Sequence, residues 1–408
     1  MLLALTLLGL GAAAAWLIAD RVATVLLVPA PYGLQPEFEV SRFTPHGCDP
    51  HEGLVVLPLP VPRRGDVPQF ARTAARGRYA LLWDDGGTLG HGLLGPVAAH
   101  DAVSVSRPLR VLQGAAPSAG APARLDTTIF RRDPLRDHGL PFEDVRIDGP
   151  VGAVAAWWID RGSDRAVVML HGRRRGDRTE ALRALPAVAA QGVSVLIASY
   201  RNHDQSDPSP DGLFHYGADE ADDLLAALAW LRERRVQDVA LVTYSMGGAL
   251  ALVARQRWPA AGPALLGIAM DAPLLDPRVV ATRRVQRAGF PRLAAALGLA
   301  LAARRTGVDF AALDLRRLAP TLDVPLLVQM TADDGTIPVA LVDDFAARVP
   351  ARRLSYRRLD EGDHVEAWNV DPDGYERALG DFLAGALARP ARSGPETPAP
   401  GAAPVRRP

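Results

Sequence analysis

The hydrophobic positions of this sequence follow three different patterns along the chain. In the first pattern, the first 19 residues carry no charge, and Thr6 is the only polar side chain among them. As a helix this run would be roughly 28 Å long, close to the thickness of the hydrocarbon core of a bilayer. We therefore predict that residues 1–30 form a single membrane-spanning anchor or an uncleaved signal segment. A buried helix is the remaining alternative.

The charges beside this segment favour one orientation in the membrane. A cleaved signal peptide would start with a basic region, and no basic residue precedes the apolar run. Arginines follow it at positions 21, 42, 63 and 64. Because basic residues tend to stay on the cytoplasmic side, we expect a single-pass protein of the cell membrane whose main body lies in the cytoplasm.

The second pattern consists of short apolar runs separated by turn residues, from residue 40 to residue 126. One example is Gly77–Trp83, which is followed by the turn-forming run Asp84–Gly87. Runs of this length and spacing predict strands joined by hairpin turns, and thus a small β-rich domain. Gly114–Ala123 is rich in Ala, Gly, Ser and Pro, which predicts a linker.

The third pattern alternates buried strands with helices, from residue 142 to residue 388. The predicted strands cover residues 151–159, 165–170, 193–200, 239–243, 265–270, 324–330 and 354–359, and the predicted helices cover 180–190, 218–235, 246–257 and 375–387. This alternation predicts an α/β fold with a doubly wound, mostly parallel sheet. Residues 272–320 are helical in pattern and predict a small cap, whereas residues 389–408 predict a disordered tail.

Composition excludes several classes of protein. The chain has 46 basic and 46 acidic residues, so its formal net charge of zero argues against a nucleic-acid-binding protein. Cys48 is the only cysteine, which excludes an intrachain disulfide and a cysteine-based metal cluster. The sequence has no phosphate-binding loop, no dinucleotide fingerprint and no His-Glu-x-x-His zinc motif.

Ser245 lies between a predicted strand and a predicted helix. Such a strand–turn–helix context exposes a serine hydroxyl, and the usual motif is Gly-x-Ser-x-Gly. Here Thr243 replaces the first glycine, while Gly247 and Gly248 allow the helix to pack closely on the sheet. We predict that Ser245 is a catalytic nucleophile. The alternative is a buried serine that caps the helix.

A serine hydroxyl needs a base to remove its proton, and the base needs a partner that holds it. Asp333 and Asp334 come directly after a predicted strand, where an α/β sheet places its ligands. His364 lies on the loop after the last predicted strand. Proteins with a nucleophile on such a strand-to-helix turn have the order serine, carboxylate, histidine along the chain. Either aspartate could be the acid.

An oxyanion needs backbone N–H donors that are already in position. One donor should be the N–H of Met246, which follows the serine. The loop His171–Gly172–Arg173 follows another predicted strand, so the N–H of Arg173 is the second candidate. Gly172 would let the backbone come close, and His171 should pack and hydrogen-bond beneath the loop.

These motifs together resemble the α/β-hydrolase superfamily over residues 142–388. The matching segments are His171–Gly172, Ser199–Asn202, Ser245–Gly248, Asp271–Pro273, Asp334–Pro338 and His364–Pro372. The chain is most similar to actinobacterial membrane-anchored hydrolases, and more broadly to serine-aminopeptidase-like and dienelactone-hydrolase-like enzymes. The segment Gly77–Trp83 also resembles the actinobacterial group.

The resemblance implies a triad of Ser245, Asp334 and His364, with Asp334 favoured over Asp333 because Asp-x-x-Ile-Pro is similar to the acid loop of the family. It implies hydrolysis of an ester, thioester or amide of a small-molecule or acyl substrate, with no cofactor and no metal. An acyltransferase or an exopeptidase could use the same residues. A non-catalytic, membrane-tethered interaction protein is the alternative from another class. Oligomeric state stays open.

Overall fold

The computed structural model describes residues 2–29, 36–59, 72–173 and 177–388. For residues 2–10 and 12 it describes the backbone alone. The predicted disordered tail, residues 389–408, lies outside the described residues. So do Arg63 and Arg64, on which the predicted membrane orientation partly depends.

The N-terminal half of the fold is an antiparallel sheet of eight strands. Its bounds are β1 (Phe38–Glu39), β2 (Arg42–His46), β3 (Asp49–Pro58), β4 (Tyr79–Asp85), β5 (Thr88–Leu94), β6 (Ala99–His100), β7 (Ser104–Gln113) and β8 (Pro122–Asp126). The strand order is β1-β8-β4-β5-β7-β3-β2, and β6 pairs with the edge of β7. The predicted β-rich domain is confirmed.

The second sheet also has eight strands and is mostly parallel. Its bounds are β9 (Glu143–Asp148), β10 (Ala153–Ile159), β11 (Arg165–Leu170), β12 (Ser194–Ala198), β13 (Asp238–Tyr244), β14 (Ala264–Asp271), β15 (Leu326–Thr331) and β16 (Leu354–Leu359). The order is β16-β15-β14-β13-β11-β12-β10-β9, with β9 and β10 antiparallel to their neighbours. The predicted doubly wound, mostly parallel sheet is confirmed.

The helices surround this second sheet and connect its strands. Their bounds are α1 (Leu2–Leu27), α2 (Pro134–His138), α3 (Leu185–Ala189), α4 (Glu220–Glu233), α5 (Met246–Gln256), α6 (Pro277–Arg287), α7 (Arg292–Thr306), α8 (Val339–Arg348), α9 (Ala367–Val370) and α10 (Pro372–Leu387). The predicted strands and helices differ from these by a few residues at their ends. One exception is residues 180–190, where a 3-10 helix, Arg178–Ala184, precedes the short α3.

The first helix packs against the α/β domain through its last two turns. Ala23 and Leu27 are buried, and the Phe214 N–H donates to the Leu27 carbonyl at 2.8 Å. The Tyr216 hydroxyl donates to the Leu26 carbonyl, also at 2.8 Å. This half of α1 therefore fits the buried-helix alternative rather than an anchor that stands free of the body.

The predicted membrane-spanning anchor over residues 1–30 is not supported. Within the described part of the chain, no helix is both long enough and apolar enough to cross a bilayer. Location in the cell membrane and a cytoplasmic catalytic domain stay predictions.

The predicted linker over Gly114–Ala123 is wrong. Its last two residues begin β8, which pairs between β1 and β4 in the antiparallel sheet. The Gly120 N–H donates to the Val40 carbonyl at 2.8 Å, so the segment closes a loop within one domain. The small residues reflect tight packing, since Ala121 and Ala123 are buried.

The segment predicted as a cap, residues 272–320, contains α6, α7 and a 3-10 helix at Leu315–Thr321. α7 packs along α1, because Ile18 and Val22 contact the small buried cluster that contains Ala294 and Ala295. The two α-helices of this segment therefore pack together with a helix from the N-terminus, and its role as a cap stays a prediction.

The two sheets meet at the loop that follows β16. The Asn369 side-chain amide donates to the carbonyls of Arg78 and Thr127, at 2.7 and 2.9 Å. The Arg78 N–H returns a bond to the Asn369 carbonyl at 2.8 Å. The Tyr79 hydroxyl donates to the Glu366 carboxylate at 3.0 Å. The β-rich domain therefore holds the loop on which His364 lies.

Arg107 anchors the segment of the β-rich domain that makes these contacts. Its guanidinium is fully buried and donates to four carbonyls, those of Gly95, Thr73, Ala75 and Gly77, at 2.8 to 3.3 Å. Replacing a buried donor leaves each carbonyl without a partner, which costs free energy.

We expect Arg107→Met to lower the free energy of unfolding by about 3 kcal/mol, because four buried carbonyls lose their donor. The matched control is Arg110→Met, since Arg110 lies exposed on the same strand, β7. Urea unfolding followed by circular dichroism measures both. Equal stabilities of the two variants would contradict the anchoring role.

Candidate active site

Ser245 occupies a sharp turn between β13 and α5. Its backbone has φ 48° and ψ −111°, a conformation that costs roughly 1–3 kcal/mol for a residue with a side chain. The turn is held on both sides, because the Ser245 N–H donates to the Asp271 carbonyl and the Leu274 N–H donates to the Ser245 carbonyl, both at 2.9 Å. The side chain does not cap α5. The helix-cap alternative therefore does not describe this serine.

Glycines after the serine allow α5 to approach the sheet closely. A Cβ on Gly247 would lie 2.6 Å from the Leu170 carbonyl oxygen and 2.8 Å from that of His171. A Cβ on Gly248 would lie 3.0 Å from Pro273 and 3.5 Å from the Thr243 hydroxyl oxygen. The threonine that replaces the usual glycine therefore fits, and its hydroxyl donates to the Ala269 carbonyl on β14 at 3.2 Å.

Loops from three strands meet at Ser245. The structure brings His364 Nε2 to 2.8 Å from Ser245 Oγ, and His364 Nδ1 to 2.8 Å from an Asp334 carboxylate oxygen. With the proton on Nδ1, the imidazole donates to Asp334 and accepts from the serine hydroxyl. The predicted residues thus form one continuous hydrogen-bond chain.

The second oxygen of Asp334 is fixed by backbone donors. The N–H groups of Thr336 and Ile337 donate to it at 2.7 and 2.6 Å. The Asp334 side chain is fully buried, whereas Asp333 is exposed. Of the two candidate acids, the structure therefore brings Asp334 to the histidine and leaves Asp333 in solvent.

His364 is buried, and its surroundings favour the charged imidazolium. Burial alone would lower the pKa, but the charge and hydrogen bond of Asp334, with further charges on Asp363 and Glu180, raise it above its usual value of 6.5. The loop itself is fixed by the Asp363 carboxylate, which accepts from the Gly335 N–H at 2.7 Å. The histidine is thus a stronger base than it would be in water.

The predicted oxyanion loop lies directly beside the serine. A Cβ on Gly172 would be 3.0 Å from the Ser245 Cβ, so the glycine permits this approach. Met246 is the first residue of α5 and is buried. Its N–H belongs to the first turn of the helix, where N–H groups have no partner within the helix. The roles of the Arg173 and Met246 N–H groups stay predictions.

His171 packs beneath this loop, as its sequence context suggested. It is buried, stacks on Tyr200 with ring centroids 4.4 Å apart, and bonds through Nε2 to the Ser199 hydroxyl at 3.0 Å. Burial lowers its pKa below 6.5, which keeps the imidazole neutral. It is separate from the hydrogen-bond chain of Ser245.

The Arg173 side chain contacts the first helix and two aromatic rings. Its guanidinium donates to the Leu26 carbonyl at 3.0 Å and lies over the rings of Phe214 and Tyr216, each at 5.4 Å. It therefore caps the end of α1. Two further arginines follow Arg173 directly, at positions 174 and 175, and they lie outside the described residues.

Two charged residues that sequence reasoning missed connect the oxyanion loop to the histidine loop. The Gly172 N–H donates to Glu180 at 2.6 Å, and Glu180 lies 3.7 Å from the Arg183 guanidinium. Arg183 in turn donates to the Val365 carbonyl at 3.1 Å and the Asn369 side chain at 3.3 Å. Only the i,i+3 spacing of the pair was visible in the sequence.

Asp271, at the end of β14, was noticed in the sequence only as part of a motif. Burial raises the pKa of its carboxyl to about 7, against the opposing charges of Arg183 and His364. Neither carboxylate oxygen has a hydrogen-bond partner among the described residues. The site therefore has a second group, besides His364, whose pKa is raised above its usual value.

Within the described ranges, no group of three or more His, Cys, Asp or Glu side chains is arranged to hold a metal ion. The polar groups around Ser245 are donors and acceptors of protons, and their arrangement suits proton transfer to and from a hydroxyl.

The fold and this geometry define an α/β protein with a serine on a strand-to-helix turn. A family model described as the alpha/beta hydrolase family matches residues 167–378, which is more than half of the chain. The chain belongs to the alpha/beta hydrolase family. A second family model, described as a domain of unknown function, matches residues 67–126 of the β-rich part. No curated protein matches the sequence.

The solved structures of one esterase show the same fold. Esterase Pf2001 from Pyrococcus furiosus is 21% identical, covers 62% of this chain and 94% of its own, and superposes with a TM-score of 0.51. A second crystal form covers 95% of its own chain with a TM-score of 0.50. A proline iminopeptidase-related protein from Thermus thermophilus is 20% identical over 60% of this chain and 98% of its own, with a TM-score of 0.47.

We expect Gly247→Ala to lower the free energy of unfolding by about 2–3 kcal/mol, because the added methyl group overlaps the Leu170 and His171 carbonyls. The matched control is Gly385→Ala in α10, where nothing lies within 4 Å of the added Cβ. That variant should gain about 0.5–1 kcal/mol from helix propensity. Thermal unfolding compares them, and an unchanged midpoint for Gly247→Ala would contradict the close approach of α5.

Proposed function

We propose that this protein is a serine hydrolase that cleaves an ester bond of a small acyl substrate. The observation that carries the proposal is the hydrogen-bond chain from Asp334 through His364 to the Ser245 hydroxyl. Folding alone does not require a serine with a strained backbone at the end of a strand. Nor does it require the serine hydroxyl to bond to a buried imidazole that is itself bonded to a carboxylate. That arrangement activates a nucleophile.

In the first step, His364 Nε2 takes the hydroxyl proton as Ser245 Oγ forms a bond to the substrate carbonyl carbon. Asp334 keeps Nδ1 protonated and stabilises the imidazolium that forms. The carbonyl oxygen becomes an oxyanion, and the N–H groups of Met246 and Arg173 are the proposed donors to it. Collapse of this intermediate breaks the bond to the alcohol, which leaves with the proton from His364.

In the second step, water replaces the alcohol. His364 takes a proton from the water as its oxygen attacks the acyl carbon, and the proton then returns to Ser245 Oγ as the acid leaves. Thioesters and amides could follow the same path. We place esters ahead of amides because an alcohol is a better leaving group than an amine. Transfer to an alcohol or amine instead of water would appear as a new ester or amide among the products.

A fluorophosphonate probe tests the nucleophile. We expect stoichiometric labelling of the wild-type chain and none of Ser245→Ala, because phosphonylation needs the activated hydroxyl. The control is Ser199→Ala, since Ser199 is buried beneath the loop and bonds to His171 rather than to His364. Labelling that persists in Ser245→Ala would rule out this serine, and a silent wild-type chain would favour a non-catalytic interaction protein.

The pH dependence of ester hydrolysis tests the base. His364 acts as a base only when neutral, and its pKa is raised above the usual 6.5. The value of kcat/KM should therefore fall as the pH drops below the pKa of His364. Glu180 contributes to this raised pKa, so Glu180→Gln should move the acid limb to lower pH. Its amide oxygen can still accept from Gly172. Glu180 also raises the pKa of Asp271, so both titrations move in the same direction.

The control for this experiment is Glu143→Gln, an exposed carboxylate on β9 at the far edge of the sheet. It should leave the acid limb where it is. An acid limb of Glu180→Gln that stays in place or moves to higher pH would contradict the electrostatic account of His364.

A further inference from the structure

The exposed side of α7 is apolar, which is unusual for a surface helix. Leu293 is 67% exposed and Leu297 is 40% exposed, and Ala296 and Ala300 are also exposed between and beyond them. The opposite side packs inward through Ala294, Ala295, Gly298 and Ala302, all buried. A helix at the surface of a globular protein normally presents polar residues to water. Here the solvent side carries leucine and alanine.

α1 extends this surface. Trp16 is 58% exposed and Leu17 is 61% exposed. The neighbouring residues Ile18 and Val22 pack against α7, and a Cβ on Gly298 would lie 2.3 Å from Val22 Cγ1. We define the apolar face as the exposed side chains of Trp16, Leu17, Phe290, Leu293 and Leu297. Twelve large hydrophobic side chains are exposed in the described residues, and these are five of them. Exposed apolar side chains are thus unusually concentrated on α1, α7 and the turn before α7.

Basic residues outnumber acidic ones beside the apolar face. Residues 277–308 contain seven arginines and no aspartate or glutamate, although the whole chain has a formal net charge of zero. Exposed arginines lie at both ends of α7, at Arg292 and Arg304. The only acidic residue of α1, Asp20, is paired with Arg305. Arg278 is paired with Asp276 and Asp314, so this surface keeps an excess of positive charge that is smaller than the seven arginines.

We propose that the apolar face docks on an anionic lipid surface. Apolar side chains flanked by arginines match the two layers of such a surface, hydrocarbon below and negative headgroups above. A second copy of this chain fits less well, because a symmetric dimer brings the same face to itself. The exposed arginines at the ends of α7, Arg292 and Arg304, would then lie against the same arginines of the other copy. This docking is independent of Ser245.

Docking would also orient the active site. Arg287, at the end of α6, donates to the carbonyl of Gly335, the residue after Asp334. Arg173, beside the oxyanion loop, donates to the Leu26 carbonyl near the end of α1. α1, which bears part of the apolar face, and α6, which precedes α7, are therefore bonded to loops on two sides of the hydrogen-bond chain. Docking through these helices would place the lipid surface on the side of the molecule where the helices lie beside the active site.

A position-specific fluorophore tests the proposal on the full chain. Cys48 is the only cysteine, so Cys48→Ser with Leu293→Cys gives one labelling site for nitrobenzoxadiazole. The matched control places the cysteine at Leu112, which is 46% exposed on β7 of the other sheet. The probes are read with vesicles of phosphatidylcholine and phosphatidylglycerol at a ratio of about three to one, a composition that supplies the anionic surface.

We expect a blue shift and roughly a twofold rise in emission at position 293 and no change at position 112, because only the apolar face enters the lipid interface. Pure phosphatidylcholine vesicles should give a weaker response. Arg292→Gln with Arg304→Gln should weaken the partition constant about 25-fold, since each arginine near an anionic surface contributes roughly fivefold. Ser245→Ala should bind vesicles as the wild type does.

Three results would overturn the proposal. Vesicle flotation without a spectral change at position 293 would mean that the N-terminal residues bind lipid alone. A change at position 293 that grows with protein concentration in the absence of vesicles would identify an interface between copies. Equal responses at positions 293 and 112 would show that the contact is not specific to the apolar face.

Discussion

The turn at Ser245 is the constraint on which the rest of the site depends. Its backbone stays at a positive φ because Gly247 and Gly248 let α5 press against the Leu170, His171 and Pro273 backbones. The same close packing brings Gly172 against the serine Cβ. One local conformation therefore projects the hydroxyl from the sheet and places the neighbouring loop beside it. A bulkier residue at either glycine would separate the strand end from the helix and release the strain.

The hydroxyl is useful only if the histidine meets it, and that contact depends on elements far apart in the sequence. Parallel strands in register bring the ends of β13, β15 and β16 to one edge, where the loops carrying Ser245, Asp334 and His364 converge. The last loop is held from two sides. Arg183 bonds it from within the α/β domain, and the β-rich domain bonds it through Asn369 and Glu366. The first sheet is thus part of the support of the candidate active site.

Much of this could be predicted from the sequence because local patterns determine it. Strand periodicity indicated the two sheets, and the order of Ser245, Asp334 and His364 followed from their positions after strands. The polar links could not be predicted, since Glu180, Arg183 and Asn369 act across long separations and look like ordinary charged or amide residues. The prediction of a membrane-spanning first helix is not supported, for a related reason. Its apolar run resembles a membrane span, yet Ala23 and Leu27 are buried against the body, and hydropathy cannot distinguish the two environments.

The central claim is that Ser245 carries the acyl group during turnover. Rapid mixing with an activated ester should give a burst of alcohol equal to the enzyme concentration, because acylation precedes slower release of the acid. The chain has no lysine, so cleavage after Arg235 and Arg255 yields one peptide, residues 236–255, that contains the serine. Mass spectrometry of the quenched burst should find the acyl group on Ser245 in that peptide. An acyl group on any other residue, or turnover without a covalent intermediate, would contradict the account.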